Sequence, residues 1–382
     1  MPYFFNKFHI ISFSTKFLIS SHTIITRLAI VLFFLVSSAY AGPASVSAKE
    51  LTALRQFIRT DSTVSEVFKS LKKTAEESMA EQPSPIKKIS SEGRLASDAK
   101  RIATHQSLQD MDKMEALAWV GAISSLKRYR VKAGEYILSW AKFNVPDGNP
   151  INETLLEPLV VAFDLVKNDM SEGDREVVVR WLKKRANFLV NTKLSVKQNW
   201  QSHRLKMVGL IALVTEDDKL WDYALEGFLV QMDKNFSDDG ESIDFVRRDA
   251  LAYHLYTVEP LLELVCAARG DTEYKKLFAL EAATSGASLK EAVDFIIPYV
   301  NGEKRHLEYK NTKVNFDKKR ARYDGTHKVR NFNAKRAIPM LNEAGCFSES
   351  YTAAAAKLGA GKGGLYTTWR SVINNARLEA SK

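Results

Sequence analysis

From Ala44 to the C-terminus the apolar residues of this chain recur at three- and four-residue spacing in segment after segment, and the alternation of a half-buried strand is nearly absent. The segments run 51–58, 64–79, 114–129, 133–143, 152–167, 174–191, 199–214, 219–233, 248–268, 274–286 and 289–300. Polar stops separate them, among them Pro146-Asp147-Gly148-Asn149-Pro150, Ser171-Glu172-Gly173-Asp174 and Ser237-Asp238-Asp239-Gly240. Helices of this length joined by short turns pair as antiparallel hairpins, and hairpins in series curl around one continuous core. The expected fold is all-α, an incomplete α/α barrel or toroid of antiparallel helical hairpins. No fixed-period repeat is present, which argues against a plain solenoid.

The first 41 residues stand apart. They carry Lys7, Lys16 and Arg27 and no acid, then the apolar run 28–36, then Ala39-Tyr40-Ala41 before Gly42. A basic stretch, an apolar stretch and an A-x-A site read as a secretory signal peptide cleaved after Ala41, which leaves 42–382 as a single domain in the periplasm or outside the cell. The apolar run falls short of the roughly 20 residues that a spanning helix needs, so no stable membrane insertion is expected after cleavage. Cleavage removes three positive charges from a net +10 and leaves +7. A basic exported chain favours a polyanionic partner, and export points to acidic polysaccharide rather than nucleic acid.

Two cysteines are too few for a disulfide framework. Cys266, inside an apolar run, reads as a buried small hydrophobe, with a single bridge to Cys346 as the alternative. After cleavage the histidines are His105, His203, His254, His306 and His327, and none is paired at metal-ligand spacing, so no metal and no obligatory cofactor is expected.

Two stretches break the helical pattern. Gln82-Pro83-Ser84-Pro85-Ile86-Lys87-Lys88 reads as an extended connector, and 303–330 is rich in charge, poor in periodicity and contains Asp324-Gly325-Thr326-His327. A long polar connection of the second kind is usually functional or disordered. Gly359-Ala360-Gly361-Lys362-Gly363-Gly364 is not a phosphate loop, because no strand precedes it and Gly363 stands where a Ser or Thr would hold magnesium.

The chemistry concentrates in Asn199-Trp200-Gln201-Ser202-His203-Arg204 and, about fifty residues on, Arg247-Arg248-Asp249-Ala250-Leu251-Ala252-Tyr253-His254-Leu255-Tyr256. Breaking a uronic-acid polymer by β-elimination requires neutralising the carboxylate beside C5, then removing the C5 proton and protonating the departing O4. Asn and Arg suit the first task, His and Tyr the second. Asn199 and His203 are four apart and share a helical face, whereas Arg204 is rotated away. Asn199 also suits a helix N-cap. In the second motif Tyr253 is expected to share a helical face with Asp249 and Tyr256, and Arg247 one with His254.

With these residues the sequence resembles the polysaccharide lyases of the alginate lyase superfamily over roughly residues 110–320. Members carry Asn-His at a helix start and, roughly fifty residues later, an Arg-containing segment ending Ala-Leu-x-Tyr-His-x-Tyr. Asn199 and Ala250 to Tyr256 match; Ile137-Leu138-Ser139-Trp140-Ala141, His306-Leu307-Glu308-Tyr309 and Phe316-Asp317 add support. The chain departs by having Trp200 directly after the Asn, with its histidine one turn later, and either Arg247 or Arg248 fits the arginine. The resemblance implies a helical toroid that cleaves alginate, glucuronan or another β-linked uronan. Tyr253 would serve as acid, and for a syn elimination also as base. His203 would be the base for an anti elimination, or would lower the pKa of Tyr253. Asn199 with Arg247 or Arg248 would neutralise the carboxylate. Trp200, Arg204, His254 and Tyr256 are candidate substrate contacts, Trp200 as a stacking platform and His254 alternatively structural. The alternative is a non-catalytic polyuronate-binding or polymer-export protein on the same fold.

Overall fold

The computed structural model describes residues 43–193, 197–270, 274–359 and 368–382. Residues 1–42, on which the expected signal peptide falls, and the glycine-rich stretch 360–364 lie outside the described residues. No described helix is long and apolar enough to cross a membrane.

Two layers of helices make the toroid. Ala48–Thr60 and Ser62–Ser78 form the first hairpin, and Gln109–Ser124 pairs with Lys127–Phe143. Glu157–Val166 and Glu172–Asn191 lead to Gln198–Thr215, which pairs with Asp218–Asn235 and packs on Leu251–Ala267. Ile338–Ala344, Glu349–Gly359 and Trp369–Ala380 follow, and Trp369–Ala380 returns to pack against Ala48–Thr60. The two ends of the described chain therefore meet in a cluster of Leu54, Val64, Trp119, Trp369, Val372 and Ile373. Burying such side chains stabilises by roughly 2–3 kcal/mol each. All-α architecture with hairpins in series is as the periodicity predicts.

Side-chain caps start many of the described helices. Ser47 and Glu50 form a reciprocal capping box, Asp61 accepts from Thr63 and Val64 N–H, and Asn149 accepts from Ile151 and Asn152 N–H with Pro150 in the first turn. Gln198–Thr215 is buried along almost its whole length and is the hub of the fold. Gly209 lets it approach its neighbours, because a Cβ there would meet Leu264 Cδ1 at 2.3 Å. Its Lys206 is buried between Glu157 at 3.0 Å and Glu263 at 3.2 Å, and Arg370 bonds the same Glu157, so the lysine of the hub is paired as burial demands.

Several expectations need correcting. The segment 152–167 is three pieces, Pro150–Glu153, a 3₁₀ turn Thr154–Leu156 and Glu157–Val166, since Pro158 cannot donate to Thr154. The segment 248–268 is split. Ile243–Arg248 ends at Asp249, whose backbone is left-handed (φ 50°), Ala250 is extended, and Leu251–Ala267 starts anew. The shared faces inferred for Tyr253 with Asp249 and for Arg247 with His254 therefore do not exist. The polar stretch 303–330 holds a short helix, Asn315–Tyr323, and one strand of a ribbon pairing Leu307–Glu308 with Arg330–Asn331. Ala99–Ser107 and the three C-terminal helices carry no prediction. Cys266 is buried as expected but bonded to Cys346, which ties Leu251–Ala267 to the turn after Ile338–Ala344.

Candidate active site

A cleft of about 310 Å³ opens beside the first turns of Gln198–Thr215 and Leu251–Ala267. Asn199, Trp200, Tyr253 and Tyr256 line it, with Ile151 and Leu155 from the preceding segment. The opposite wall comes from the ribbon and from Asn315–Tyr323: Tyr309, Phe316, Arg320 and His327. Arg101, Arg248 and Arg336 complete a lining in which Glu92 is the one acid among the described residues. Such a wall attracts a polyanion and can neutralise a carboxylate at short range.

The backbone is strained where the cleft is built. Three of the five described non-glycine residues with positive φ border it: Gln198 (65°), Asp249 (50°) and Tyr309 (65°). Each costs of order 1 kcal/mol or more, offset by surrounding bonds. Tyr309 N–H donates to Asp249 O at 2.6 Å, His306 Nε2 lies 3.1 Å from the same carbonyl, and Asn311 N–H donates to the Asp249 carboxylate at 2.6 Å. The break at Asp249 thus locks the ribbon onto the head of the tyrosine helix.

Asn199 does not act as an N-cap. It sits in the first turn, and Asp244 serves that helix end from outside, accepting Asn199 N–H at 2.7 Å and Nδ2 at 2.8 Å. Asp244 is buried and also accepts from Thr257 Oγ1 at 2.8 Å. Its pKa is raised by burial, against the opposing pull of the Thr257 and Asn199 donors and of Arg248. One amide hydrogen of Asn199 is spent on this carboxylate and one is left for a ligand.

Tyr253 is the centre of the site. Its hydroxyl lies 3.2 Å from His327 Nε2 and 3.4 Å from Arg320 Nη1. The Arg248 guanidinium stacks 3.8 Å over its ring, and Tyr256 and Tyr309 meet it edge-on at 6.4 and 6.3 Å. Arg248 is held by an ion pair with buried Asp317, which accepts also from Thr312 Oγ1 at 2.9 Å. Burial raises the Tyr253 pKa, and the charges of Arg248 and Arg320 pull the other way. The free protein therefore holds a neutral phenol between two cations and an imidazole.

Of the predicted site residues, the fold brings Asn199, Trp200, Arg248, Tyr253 and Tyr256 together in the cleft. The others lie elsewhere. His203 is buried beneath Tyr256, ring centroids 4.2 Å apart, with Nδ1 3.0 Å from Thr154 Oγ1, and it does not line the cleft. Burial first, then Lys206, holds its pKa well below the usual value, which favours the neutral imidazole. Arg204 is fully buried against Gln201, His254 is bonded to Ser242 Oγ (3.1 Å) and Ala292 O (2.8 Å), and the Arg247 side chain is exposed outside the cleft. Arg101, Arg320, Arg336, Tyr309 and His327 went unassigned from sequence; for His327 the Asp-Gly-Thr-His turn in a long polar connection was the available signal.

The sequence profile of the alginate lyase family matches residues 59–306, well over half of the chain. The chain belongs to the alginate lyase family. It is a polysaccharide lyase. Among solved structures, an alginate lyase from Bacteroides ovatus superposes with a TM-score of 0.66 at 14% identity, over 87% of this chain and 99% of that one. Alginate lyase A1-III from Sphingomonas species A1 gives 0.53 at 18%, over 69% and 80%, and a variant of A1-III complexed with a tetrasaccharide gives 0.53 at 16%, over 78% and 85%. At these identities the likeness is one of fold, the α/α toroid. No curated protein matches the sequence.

The lyase has two adjacent arginines in different surroundings, which makes a paired test. Arg248→Ala should lower kcat/KM on the polysaccharide substrate by roughly 10²–10³-fold, the loss typical of one preorganised charge-stabilising donor. Arg247→Ala should stay within about twofold, as expected of an exposed side chain far from the reacting atoms. Equal losses would return Arg247 to the site.

Proposed function

We propose that this lyase is an exported enzyme that cleaves a β-linked uronan, polymannuronate or glucuronan, by syn β-elimination. The observation that carries the reading is the Tyr253 hydroxyl, set in an arginine-lined cleft within reach of an imidazole. Asn199, Arg248 and Arg320 neutralise the uronate carboxylate, which makes the C5 carbanion accessible. Tyr253 takes the C5 proton and passes it to O4 as the C4–O4 bond breaks and the C4–C5 double bond forms.

Syn geometry is favoured because His203, the candidate base for the opposite face, is outside the cleft, whereas His327 is on the side of Tyr253. Mannuronate and glucuronate carry H5 and O4 on the same ring face, and guluronate carries them on opposite faces. Trp200 offers an apolar surface for a sugar ring. Export is supported by the A-x-A segment, and the bond between Cys266 and Cys346 suits an oxidising compartment. Neither nucleic acid nor a membrane is a partner in this reading, and the mechanism requires no cofactor.

Incubation of the mature protein with polymannuronate, glucuronan and polyguluronate, followed by ultraviolet absorbance of the unsaturated product, tests this reading. Absorbance should rise with polymannuronate or glucuronan and stay flat with polyguluronate. A rise with polyguluronate alone would reverse the stereochemical argument, and silence on every uronan from folded protein would remove the substrate class.

A further inference from the structure

His327 projects from the turn that precedes the second ribbon strand, 74 residues along the chain from Tyr253, yet its Nε2 is 3.2 Å from the tyrosine hydroxyl. Its Nδ1 is 2.9 Å from Thr326 Oγ1, and its ring lies 4.6 Å from that of Tyr309. It borders both the central cleft and a second depression of about 420 Å³ that shares Tyr309 and Arg336 with it. Of the described histidines, it alone lines the cleft. We propose that His327 is the group with which Tyr253 exchanges its phenolic proton during turnover. This rests on the lyase reading above.

A neutral phenol cannot abstract the C5 proton. A proton must leave the hydroxyl first, and His327 Nε2 is the acceptor within hydrogen-bond reach. The balanced sequence has four transfers. The Tyr253 O–H proton moves to His327 Nε2, and the phenolate then takes H5 from the uronate. The regenerated phenol gives that proton to O4 as the C4–O4 bond breaks and the C4–C5 π bond forms. The imidazolium finally returns its proton to the phenolate. Protein and charge are restored, and the substrate's own C5 proton ends on the new hydroxyl.

The surroundings make this exchange dependent on substrate. His327 faces Tyr253 from the tyrosine helix, Tyr309 from the ribbon, Thr326 in its own turn, and Arg248, Arg320, Arg330 and Arg336 from the neighbouring segments. The acids near it are Asp317, 4.0 Å from Nε2 and already paired with Arg248, and Glu308, which lines the second depression with it and accepts Ala252 N–H. Burial and then these arginines lower the His327 pKa to about 4 in the free protein. A uronate carboxylate entering among the arginines offsets their charge, which raises the basicity of His327 at the moment a base is needed. The acid limb of kcat, which reports the complex, should therefore lie at higher pH than that of kcat/KM, which reports the free enzyme.

The test uses two variants and one measurement that does not depend on turnover. His327→Gln keeps a side chain able to bond the Tyr253 hydroxyl but unable to take a proton. It should lower kcat by roughly 10²–10³-fold with KM little changed and should abolish the acid limb of kcat. His327→Ala should show a similar loss that added imidazole partly restores. Wild-type kcat and an unmoved acid limb in His327→Gln, with Tyr253→Phe inactive, would overturn the inference and leave the lyase reading standing. The ¹⁵N shifts of His327 in the free full-length mature protein should show Nδ1 protonated and Nε2 bare. A proton on Nε2 of the neutral ring would overturn the inference even if no uronan is cleaved, the separate outcome that counts against the lyase reading.

Discussion

Tyr253→Phe is expected to lower kcat on the cleaved uronan by roughly 10³-fold or more while leaving substrate affinity and folding nearly intact. The ring stays where it is, because its position is set by contacts that do not involve the hydroxyl. Arg248 lies over one face, and Tyr256 and Tyr309 meet it edge-on. The substitution deletes only the bonds to His327 and Arg320, each with a net worth of about 1 kcal/mol to stability or a little more. The arginines and Asn199 that would hold the carboxylate remain, so KM should change by no more than a few fold. Steady-state kinetics alongside thermal unfolding separates the two effects. An unchanged kcat would take Tyr253 out of the mechanism, and a collapse in melting temperature would mean that the hydroxyl serves the fold instead.

The fold was legible wherever a helix buries one stripe and exposes another. That rule located the hairpins of 48–78 and 109–143, and the apolar spacing also located the hub Gln198–Thr215, although that helix is buried on nearly every side, Arg204 and Lys206 included. It failed on Asn315–Tyr323, whose one buried residue is Asp317, so no apolar stripe existed to be read. It also ran across Asp249, since a single left-handed residue leaves the hydrophobic count of the flanking helices unchanged.

The site divides along the same line. Asn199 and Tyr253 were legible because each stands in the first turn of its own helix in a recognisable pattern. Spacing gives the face of a helix but not the depth, so His203 was placed beside Asn199 when the Tyr256 ring in fact covers it. Arg247 and Arg248 differ in surroundings because of the backbone break one residue later, which leaves Arg248 lining the cleft and Arg247 exposed outside it. His327 and Arg320 reach Tyr253 from 74 and 67 residues away on segments without periodicity, and sequence separation carries no information about such a contact.

The largest stability loss is expected at Glu153, which lies next to the cleft wall without touching the chemistry. Arg185 and Glu153 form an ion pair in which both side chains are almost wholly buried, and Arg185 bonds also to Asn144 Oδ1. The other Glu153 oxygen accepts Asp147 N–H at 2.8 Å and Gly148 N–H at 3.3 Å. That turn has no slack, for Gly148 is left-handed (φ +74°) and a Cβ there would sit 2.9 Å from Phe188 O. Glu153→Ala strands a buried guanidinium and two backbone donors together, at a cost of about 3–5 kcal/mol, which lowers the melting temperature by on the order of 10 °C. Replacing both partners by methionine removes the stranded charge and should recover most of that loss, since a buried pair is often matched by apolar residues of similar volume. The consequence reaches the site through Ile151 and Leu155, which flank Glu153 and line the cleft, and through Thr154, which bonds His203 beneath Tyr256. Glu153→Ala should therefore lose activity at a lower temperature than wild type while keeping near-normal kcat in the cold. A melting point within about 1 °C of wild type, well inside what a stranded buried charge predicts, would show that the pair is not what holds this wall.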